Sequence, residues 1–252
     1  MISFADADLE RIIAVPSGEG KAALFFLVPY APFKEFPGGK LSVDAYYLAS
    51  NAAYRRAKEL AEELRGRGIP AEANPKLDYK RLLAGTGEFV IGKNTLLYFG
   101  DLGSRFAVGC VEAEMDLPPA SEFAARNCGG CGACASACPT GAISEGEFAP
   151  ERCIRSLMDR TENDVETVKK FGNRLFGCDI CQRVCPLNRG ETVDPPPGLL
   201  EFLDVENVIL CAEKGRKALS PLAELIGENY VRPKRILRAA LWAKSNMDPN
   251  KN

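Results

Sequence analysis

Cysteine spacing constrains this chain more than any other feature of its sequence. One block follows the pattern C-x2-C-x2-C-x3-C-P and consists of Cys128, Cys131, Cys134 and Cys138, with Pro139 behind them. A second block follows the shorter pattern C-x2-C-x3-C-P and consists of Cys178, Cys181 and Cys185, with Pro186 behind them. Cys153 lies between the two blocks. Thiols at such short spacing converge only if the chain turns tightly, so we expect this region to be rich in loops.

Runs of this type bind two [4Fe–4S] clusters in bacterial ferredoxins, where the fourth cysteine of a run ligates the other cluster. Because the second block is one cysteine short, Cys153 is the predicted replacement. The first cluster is then predicted to be held by Cys128, Cys131, Cys134 and Cys185. The second is predicted to be held by Cys138, Cys153, Cys178 and Cys181. The pattern therefore predicts a protein that moves single electrons.

Zinc and disulfides fit the cysteines less well than iron–sulfur clusters do. Zinc also binds four thiolates, but its sites favour separated C-x-x-C pairs over one run closed by a proline. Disulfide-rich domains carry far more cysteine than 10 in 252 residues. Cys110 and Cys211 remain outside the pattern, and because both adjoin apolar stretches we predict that they are buried free thiols.

The composition excludes several classes of protein. The chain has 252 residues, a formal net charge of −2 and 46% hydrophobic residues, which fits one or two compact domains. No apolar run reaches the roughly 18–20 residues that span a bilayer. The first residues contain no basic segment of the kind that starts an export signal. We therefore expect a cytoplasmic protein without membrane contact, and its weakly acidic charge gives no general attraction to nucleic acid.

The absence of histidine narrows the chemistry further. With no histidine in the chain, neither histidine acid–base catalysis nor a histidine metal ligand is available. Any proton donor must be Asp, Glu, Tyr, Lys, Cys or water.

Outside the cysteine blocks the sequence predicts an α+β fold. A continuous apolar run over 22–28 predicts a buried strand. A helical apolar period predicts a long helix over 42–65, with Ser42 as its N-cap. Shorter elements are predicted over 71–75 (extended), 77–83 (helix), and 95–99 and 105–111 (strands), the last two as neighbours across a glycine turn.

Three segments are expected in chain order. Residues 1–120 form the α+β segment, 121–195 the ferredoxin-like segment, and 196–252 a short helical tail after a run of prolines. The basic stretch Arg232–Trp242 near the end predicts the solvated face of a surface helix more strongly than an RNA contact.

The cysteine blocks, with their flanking residues, resemble the epoxyqueuosine reductase family. The resemblance is carried by Cys138-Pro-Thr-Gly-Ala-Ile143, by Cys153-Ile, and by Phe176-Gly-Cys-Asp-Ile-Cys-Gln-Arg-Val-Cys-Pro-Leu-Asn188. Upstream, Ile91-Gly-Lys-Asn-Thr-Leu-Leu97 and Gly103-Ser-Arg-Phe106 are similar to the segment that joins the family's cobalamin-binding core to its clusters.

This resemblance implies a cofactor set and a reaction. Family members carry cobalamin and two [4Fe–4S] clusters, and they reduce the epoxide of epoxyqueuosine in tRNA to queuosine. It implies an N-terminal α/β sandwich-like domain of the cobalamin-reductase type, with Lys93 and Asn94 as candidate cobalamin contacts. An electron donor of flavodoxin or ferredoxin type is the expected partner.

The chain also departs from the family pattern. The family's Asp-Ser-Ala-Pro stretch, which holds its proposed proton donor, aligns with Glu72-Ala-Asn-Pro75, so Glu72 is the predicted donor here. An arginine that follows it in the family falls on Tyr79, and a tryptophan before Gly-Lys-Asn falls near Val90. The chain ends before the helical repeats that help the family hold tRNA, so only weak tRNA contact is expected.

Three functions follow from these observations. The first is a corrinoid-dependent reductase of the epoxyqueuosine reductase type. The second is a ferredoxin-type electron carrier that docks a partner enzyme and has no substrate chemistry of its own. The third is an RNA-binding scaffold in which the clusters are structural. Retention of the Gly92-Lys-Asn-Thr95 segment favours the first, because a carrier has no need of it.

Overall fold

A computed structural model describes residues 12–118, 126–144 and 147–248 of the chain. Within them, a four-stranded sheet has the order β1-β2-β7-β4, a two-stranded sheet joins β3 and β9, and a three-stranded sheet has the order β6-β5-β8. The strands are β1 (Ile13–Gly18), β2 (Lys21–Pro29), β3 (Ser42–Val43), β4 (Ala71–Ala73), β5 (Val90–Ile91), β6 (Leu97–Tyr98), β7 (Phe106–Glu114), β8 (Arg126–Asn127) and β9 (Arg174–Phe176). The helices are α1 (Tyr46–Gly66), α2 (Tyr79–Gly85), α3 (Ala133–Ala137), α4 (Ile154–Leu157), α5 (Val165–Lys169), α6 (Ile180–Arg183), α7 (Pro197–Phe202), α8 (Val205–Lys214), α9 (Ser220–Ile226) and α10 (Pro233–Met247).

Strand β2 is the centre of the main sheet, as its continuous apolar run predicts. Alternate side chains of a strand point to opposite faces, and both faces of β2 are covered. Leu24 and Phe26 pack into the core shared with α1, whereas Ala23 and Phe25 pack into a second core with Phe89. Gly109 of β7 lies under Phe26, since a Cβ there would stand 2.7 Å or less from three carbons of the ring.

The long helix begins later than its predicted N-cap. Ser42 and Val43 form β3, which pairs in parallel with β9, and α1 starts at Tyr46. No side chain caps the helix at Ala45, but the Tyr46 N–H donates to Asp44 Oδ1 over 3.0 Å. The prediction for Ser42 was wrong because pairing with a distant strand takes up the residues that the local pattern assigned to the helix.

The two strands predicted as neighbours across the glycine turn pair with other strands. β6 pairs with β5, whereas β7 pairs with β2 and β4. Phe99 and Gly103 still form an isolated bridge across the turn. β7 is therefore drawn into the main sheet by its nine-residue register with β2, and β6 remains in a separate small sheet beside the cysteines.

The three predicted segments share one core. Buried residues of β2, α1, β9, α8 and α10 belong to a single apolar cluster that extends from Ala22 to Ala243. The boundaries after residues 120 and 195 therefore stay a prediction about chain order rather than about separate cores. In the part of the chain that the structure describes, no helix is both long and apolar enough to cross a membrane.

Candidate functional site

The cysteines of the two blocks lie on short elements that face one another. Helix α3 carries Cys134 and ends at Cys138, while α6 carries Cys181 and is followed by Cys185. Cys153 precedes α4. The elements α3, α4 and α6 are five residues or shorter, too short to be stable alone. They therefore depend on tertiary contacts, such as the burial of Ile154 and Leu157 of α4 in the main core, and on what the cysteines hold.

Interactions between the thiols follow the two predicted sets. Cys134 interacts electrostatically with Cys128 and Cys185. Cys178 interacts with Cys153, and Cys181 interacts with both of these. Cys181 also interacts with Cys134, so the two sets are adjacent. The structure thus brings together three members of the first set and three of the second.

Several sulfurs are surrounded by hydrogen-bond donors. The Ala142 N–H points at Cys138 Sγ over 3.3 Å, and the Lys93 N–H points at Cys128 Sγ over 3.4 Å. Burial opposes ionisation of Cys138, but hydrogen bonds from Thr140, Ala142 and Ile143 outweigh it and lower the pKa of this thiol. A thiolate that ligates a metal needs such donors, so the chemistry of the site fits iron–sulfur clusters.

The spacing of the ligands is less suited to a single ion. Zinc–thiolate bonds of about 2.3 Å would draw four sulfurs into close contact around one point. Among the described residues, no three Cys, Asp or Glu side chains converge as ligands of one ion would. The part of the chain that the structure describes thus contains no group arranged as a single-ion zinc site is.

A cavity of about 1590 Å³ opens beside the second set. Its lining includes all four thiols of that set and none of the first. The opposite wall consists of the first half of α1, and further walls come from the segments around Lys80, Asn94 and Tyr230. The volume exceeds the roughly 300–1000 Å³ of ordinary small-molecule pockets, so it has room for a large cofactor together with a reactant.

Arg155 places a positive charge in the wall of this cavity, where the residue as a whole stays exposed to solvent. Its guanidinium lies 5.4 Å from the ring centre of Tyr46 and 5.6 Å from that of Tyr47. Desolvation by the cavity wall opposes this charge, but Tyr47, Tyr46 and Asp44 raise the pKa of Arg155, so it stays protonated. An aromatic pair of this kind stabilises a cation held against it.

Asp44 is the carboxyl group of the cavity with a raised pKa. Burial, reinforced by the nearby Asp179 carboxylate, raises the pKa of Asp44 from 3.8 to about 6. The Tyr46 N–H, Arg155 and Arg183 oppose this rise. A carboxyl group with a pKa near 6 is partly protonated at neutral pH, which is the condition for a general acid.

Of the three residues predicted for catalysis or cobalamin binding, only one lines the cavity. Asn94 is buried and lines the cavity. Lys93 contributes its backbone N–H to Cys128 and is not among the cavity-lining residues. Glu72 is exposed on β4 and lies outside the lining. The role of Glu72 stays a prediction, and its position gives it no contact with the cavity.

Sequence reasoning missed Asp44, Arg155 and the tyrosines beside them as cavity residues. Tyr47 fits the apolar stripe of a helix, and Asp44 fits an ordinary acid of a helix's first turn. A usable signal was present, because Arg155 follows the predicted ligand Cys153 by two positions. A charged residue that close to a ligand must lie near the cluster.

Fold and thiols together define an α+β protein with a ferredoxin-like, two-cluster domain. A family model described as a 4Fe-4S double cluster binding domain matches residues 127–188. The epoxyqueuosine reductase of Pseudomonas aeruginosa is 32% identical over 195 residues, which cover 71% of this chain and 54% of that protein. The one from Leadbetterella byssophila is 31% identical over 202 residues, covering 75% of this chain and 64% of that protein.

Solved structures show the same fold. A crystal structure of epoxyqueuosine reductase with an epoxyqueuosine-modified tRNA-Tyr stem loop superposes with a TM-score of 0.66, at 22% identity, over 91% of this chain and 66% of that one. The chain belongs to the epoxyqueuosine reductase family. It spans about half to two thirds of the length of the two relatives described.

Proposed function

We propose that this chain is an iron–sulfur reductase that passes electrons through two [4Fe–4S] clusters to a corrinoid in the cavity, for reduction of epoxyqueuosine in tRNA. The observation that carries this proposal is that the two sets of thiols face different surroundings. All four of the second set line the cavity, and the first set includes the one cysteine that is exposed to solvent, Cys131. Electrons would therefore enter at the first set and leave from the second.

The cavity supports a large, partly anionic cofactor. When bound, the clusters would supply single electrons and the corrinoid a cobalt ion that changes oxidation state. The chain's own part is to hold that cofactor against the second set of thiols, with Asn94 and Arg155 in the wall. Because the chain has no histidine, no imidazole of this chain could ligate the cobalt.

Removal of an epoxide oxygen as water consumes two electrons and two protons. The clusters account for the electrons, and the protons need an acid in the cavity. Asp44 lies there and its pKa is raised to about 6 by burial. We therefore propose Asp44 as the acid that faces the reactant, in place of the exposed Glu72 that alignment predicts.

The rim of the cavity favours a polyanionic substrate. Arg232, Lys234, Arg235 and Arg238 all line it. Arg235 Nη1 and Arg238 Nε are buried, and no described residue accepts a hydrogen bond from either. Such nitrogens are stabilised when an anion arrives. The relative solved with a tRNA stem loop makes RNA the natural candidate, and a cytoplasmic location is part of the same proposal.

The first test is titration of the anaerobically reconstituted protein with cobalamin. We expect micromolar binding, accompanied by a change in the Co(II) EPR spectrum of the cobalamin. Absence of binding would favour the ferredoxin-type carrier, which is the second candidate because the chain spans only part of its relatives' length.

The second test separates the two candidate acids with matched variants. Asp44→Asn should abolish reduction of epoxyqueuosine-tRNA while both clusters remain reducible by dithionite, and Glu72→Gln should retain turnover. The opposite result would restore Glu72 as the donor. Both measurements need the added tRNA substrate, and cluster reduction serves as the internal control.

Binding of tRNA has its own expected signature. Four of the basic residues that line the cavity also lie close together in sequence, at 232, 234, 235 and 238, so neutralisation of few phosphates should give weak affinity that falls with added salt. Arg238→Ala should lower the salt slope by about one unit. A slope that is flat in the parent protein would exclude RNA as the substrate.

A further inference from the structure

Asn94 and Tyr98 form a hydrogen-bonded pair between the two sets of thiols. We propose that this pair is a bridge that donates one hydrogen bond to a ligand sulfur of each cluster and thereby sets the reduction potentials of both. The bridge rests on one part of the proposed function, the binding of two clusters. It involves neither corrinoid nor substrate, so the bridge and the proposed reductase activity can fail separately.

The contacts place the pair between the two sets. Asn94 Nδ2 donates to Tyr98 Oη over 3.1 Å. The Asn94 side chain lies beside Cys181 of the second set, and the Tyr98 hydroxyl lies beside Cys185 of the first set. In the proposed bridge, the second amide hydrogen of Asn94 and the hydroxyl hydrogen of Tyr98 point at these two sulfurs.

The orientation of Asn94 is fixed by its other end. Its Oδ1 accepts a hydrogen bond from the Leu96 N–H over 3.3 Å, so the NH₂ group must face the sulfur and the tyrosine. Asn94 and Tyr98 are only 4% and 5% exposed. A buried, fully bonded amide of this kind has little freedom to turn.

Gly92 leaves the space that the bridge occupies. A Cβ at this position would lie 2.5 Å from Asn94 Oδ1 and 2.5 Å from Tyr98 Cε2. The Lys93 N–H that follows donates to Cys128 of the first set. The segment Gly92–Tyr98 thus lies against sulfurs of both sets.

The direction of the effect follows from charge. A reduced cluster is more negative than an oxidised one, so a donor to its sulfur stabilises the reduced form and raises its potential. Removing the donor should make each cluster harder to reduce. Neither residue gains or loses an electron or a proton. They are positioning residues for electron transfer that starts at an external donor.

EPR-monitored redox titration of the reconstituted, corrinoid-free protein tests the bridge. Tyr98→Phe should lower the midpoint potential of the cluster held by Cys185, and Asn94→Ala that of the cluster held by Cys181. We expect about a tenfold lower ratio of reduced to oxidised cluster at a fixed solution potential, which is about 59 mV for one electron. The Cys153→Ala background, which keeps the first cluster, identifies the signal that each variant moves.

Tyr54→Phe is the matched control. Tyr54 is 38% exposed and has no thiol contact among the described residues, so neither potential should change. Unchanged potentials in Tyr98→Phe and Asn94→Ala, at full iron content, would overturn the bridge.

If either variant loses iron, a second measurement on the parent protein still tests the bridge. Asparagine labelled with ¹⁵N only in its side-chain amide should produce a ¹⁵N hyperfine coupling in pulsed EPR of the reduced clusters. Loss of that coupling in Asn94→Ala, or in Asn94→Ser if the alanine variant does not fold, assigns it to this residue. Absence of the coupling in the parent protein would also overturn the proposal.

Discussion

The main sheet and the cysteine-bearing segment are ordered by different forces. In the sheet, β2 and β7 bury both faces of their strands, and Phe25 and Phe26 are almost fully enclosed. In the segment from 127 to 188, helices of four or five residues alternate with loops. Hydrophobic burial orders the first region, whereas the second combines the burial of side chains such as Ile154 and Phe171 with the ligand bonds expected of a metal-bound domain. The two regions should therefore fail under different conditions.

Removal of iron should separate the two regions most sharply. We expect chelation to expose the backbone amides around the cysteines of 127–188 to hydrogen exchange, while β2 and β7 remain protected, because neither strand carries a predicted cluster ligand. Hydrogen–deuterium exchange of loaded and iron-free protein measures this. Equal protection in both states would show that the cysteine segment folds without metal.

Loss of a single ligand sharpens the same comparison. Cys153→Ala should reduce iron from about eight to about four atoms per chain, because two four-iron clusters share eight thiolates. Cys110→Ala and Cys211→Ala, the matched controls outside the sets, should leave the iron content unchanged. Full iron in Cys153→Ala, with an unaltered EPR signal, would assign the ligand role to another residue.

A core substitution should act on the sheet alone. Phe26→Ala removes a ring that packs on Gly109, and such a truncation costs about 3–5 kcal/mol of the free energy of unfolding. Anaerobic urea unfolding measures the loss. Iron content at low urea should stay at the parental value, and a parallel loss of iron would mean that the two regions are not separable.

The pH dependence of Asp44 should give the smallest effect. Its folded pKa, about 6, exceeds the ordinary 3.8 because of burial, so the folded protein binds this proton more tightly than the unfolded chain does. Folding is therefore penalised progressively as pH rises from about 4 to 6. Asp44→Asn removes the penalty, and its advantage over the parent protein should grow by about 1 kcal/mol between pH 5 and pH 7. Urea midpoints at both values test this, and a constant difference would contradict the raised pKa.

The sequence predicted those features that a local pattern encodes. The apolar run of β2, the period of α1 and the spacing of the cysteines each needed only a short stretch of chain. The pairing of β3 with β9 and the separation of β6 from β7 could not be predicted in this way. Both depend on residues that are far apart in sequence, such as Ser42 and Arg174.

The candidate site likewise combines features that a local pattern predicts with features that depend on residues far apart in sequence. The division of eight cysteines into two sets followed from spacing, and it stays a prediction until iron is counted in the variants. The walls of the cavity come from α1, the cysteine segment and α10, and no window of the sequence contains all three. Asp44 and Arg155 were therefore missed, while Glu72 was selected from alignment alone.

The shared use of Cys153 and Arg155 has a consequence for assembly. The segment that supplies a thiol to the second set also supplies the cation that packs on Tyr46 and Tyr47 in the cavity wall. Without iron, Cys153 would lose its proposed ligand bond, and only the burial of neighbours such as Ile154 would hold this part of the wall. We therefore expect iron and sulfide to be inserted first and the large cofactor second. A chain without clusters would then not bind corrinoid, and the cofactor would bind only chains that can deliver electrons to it.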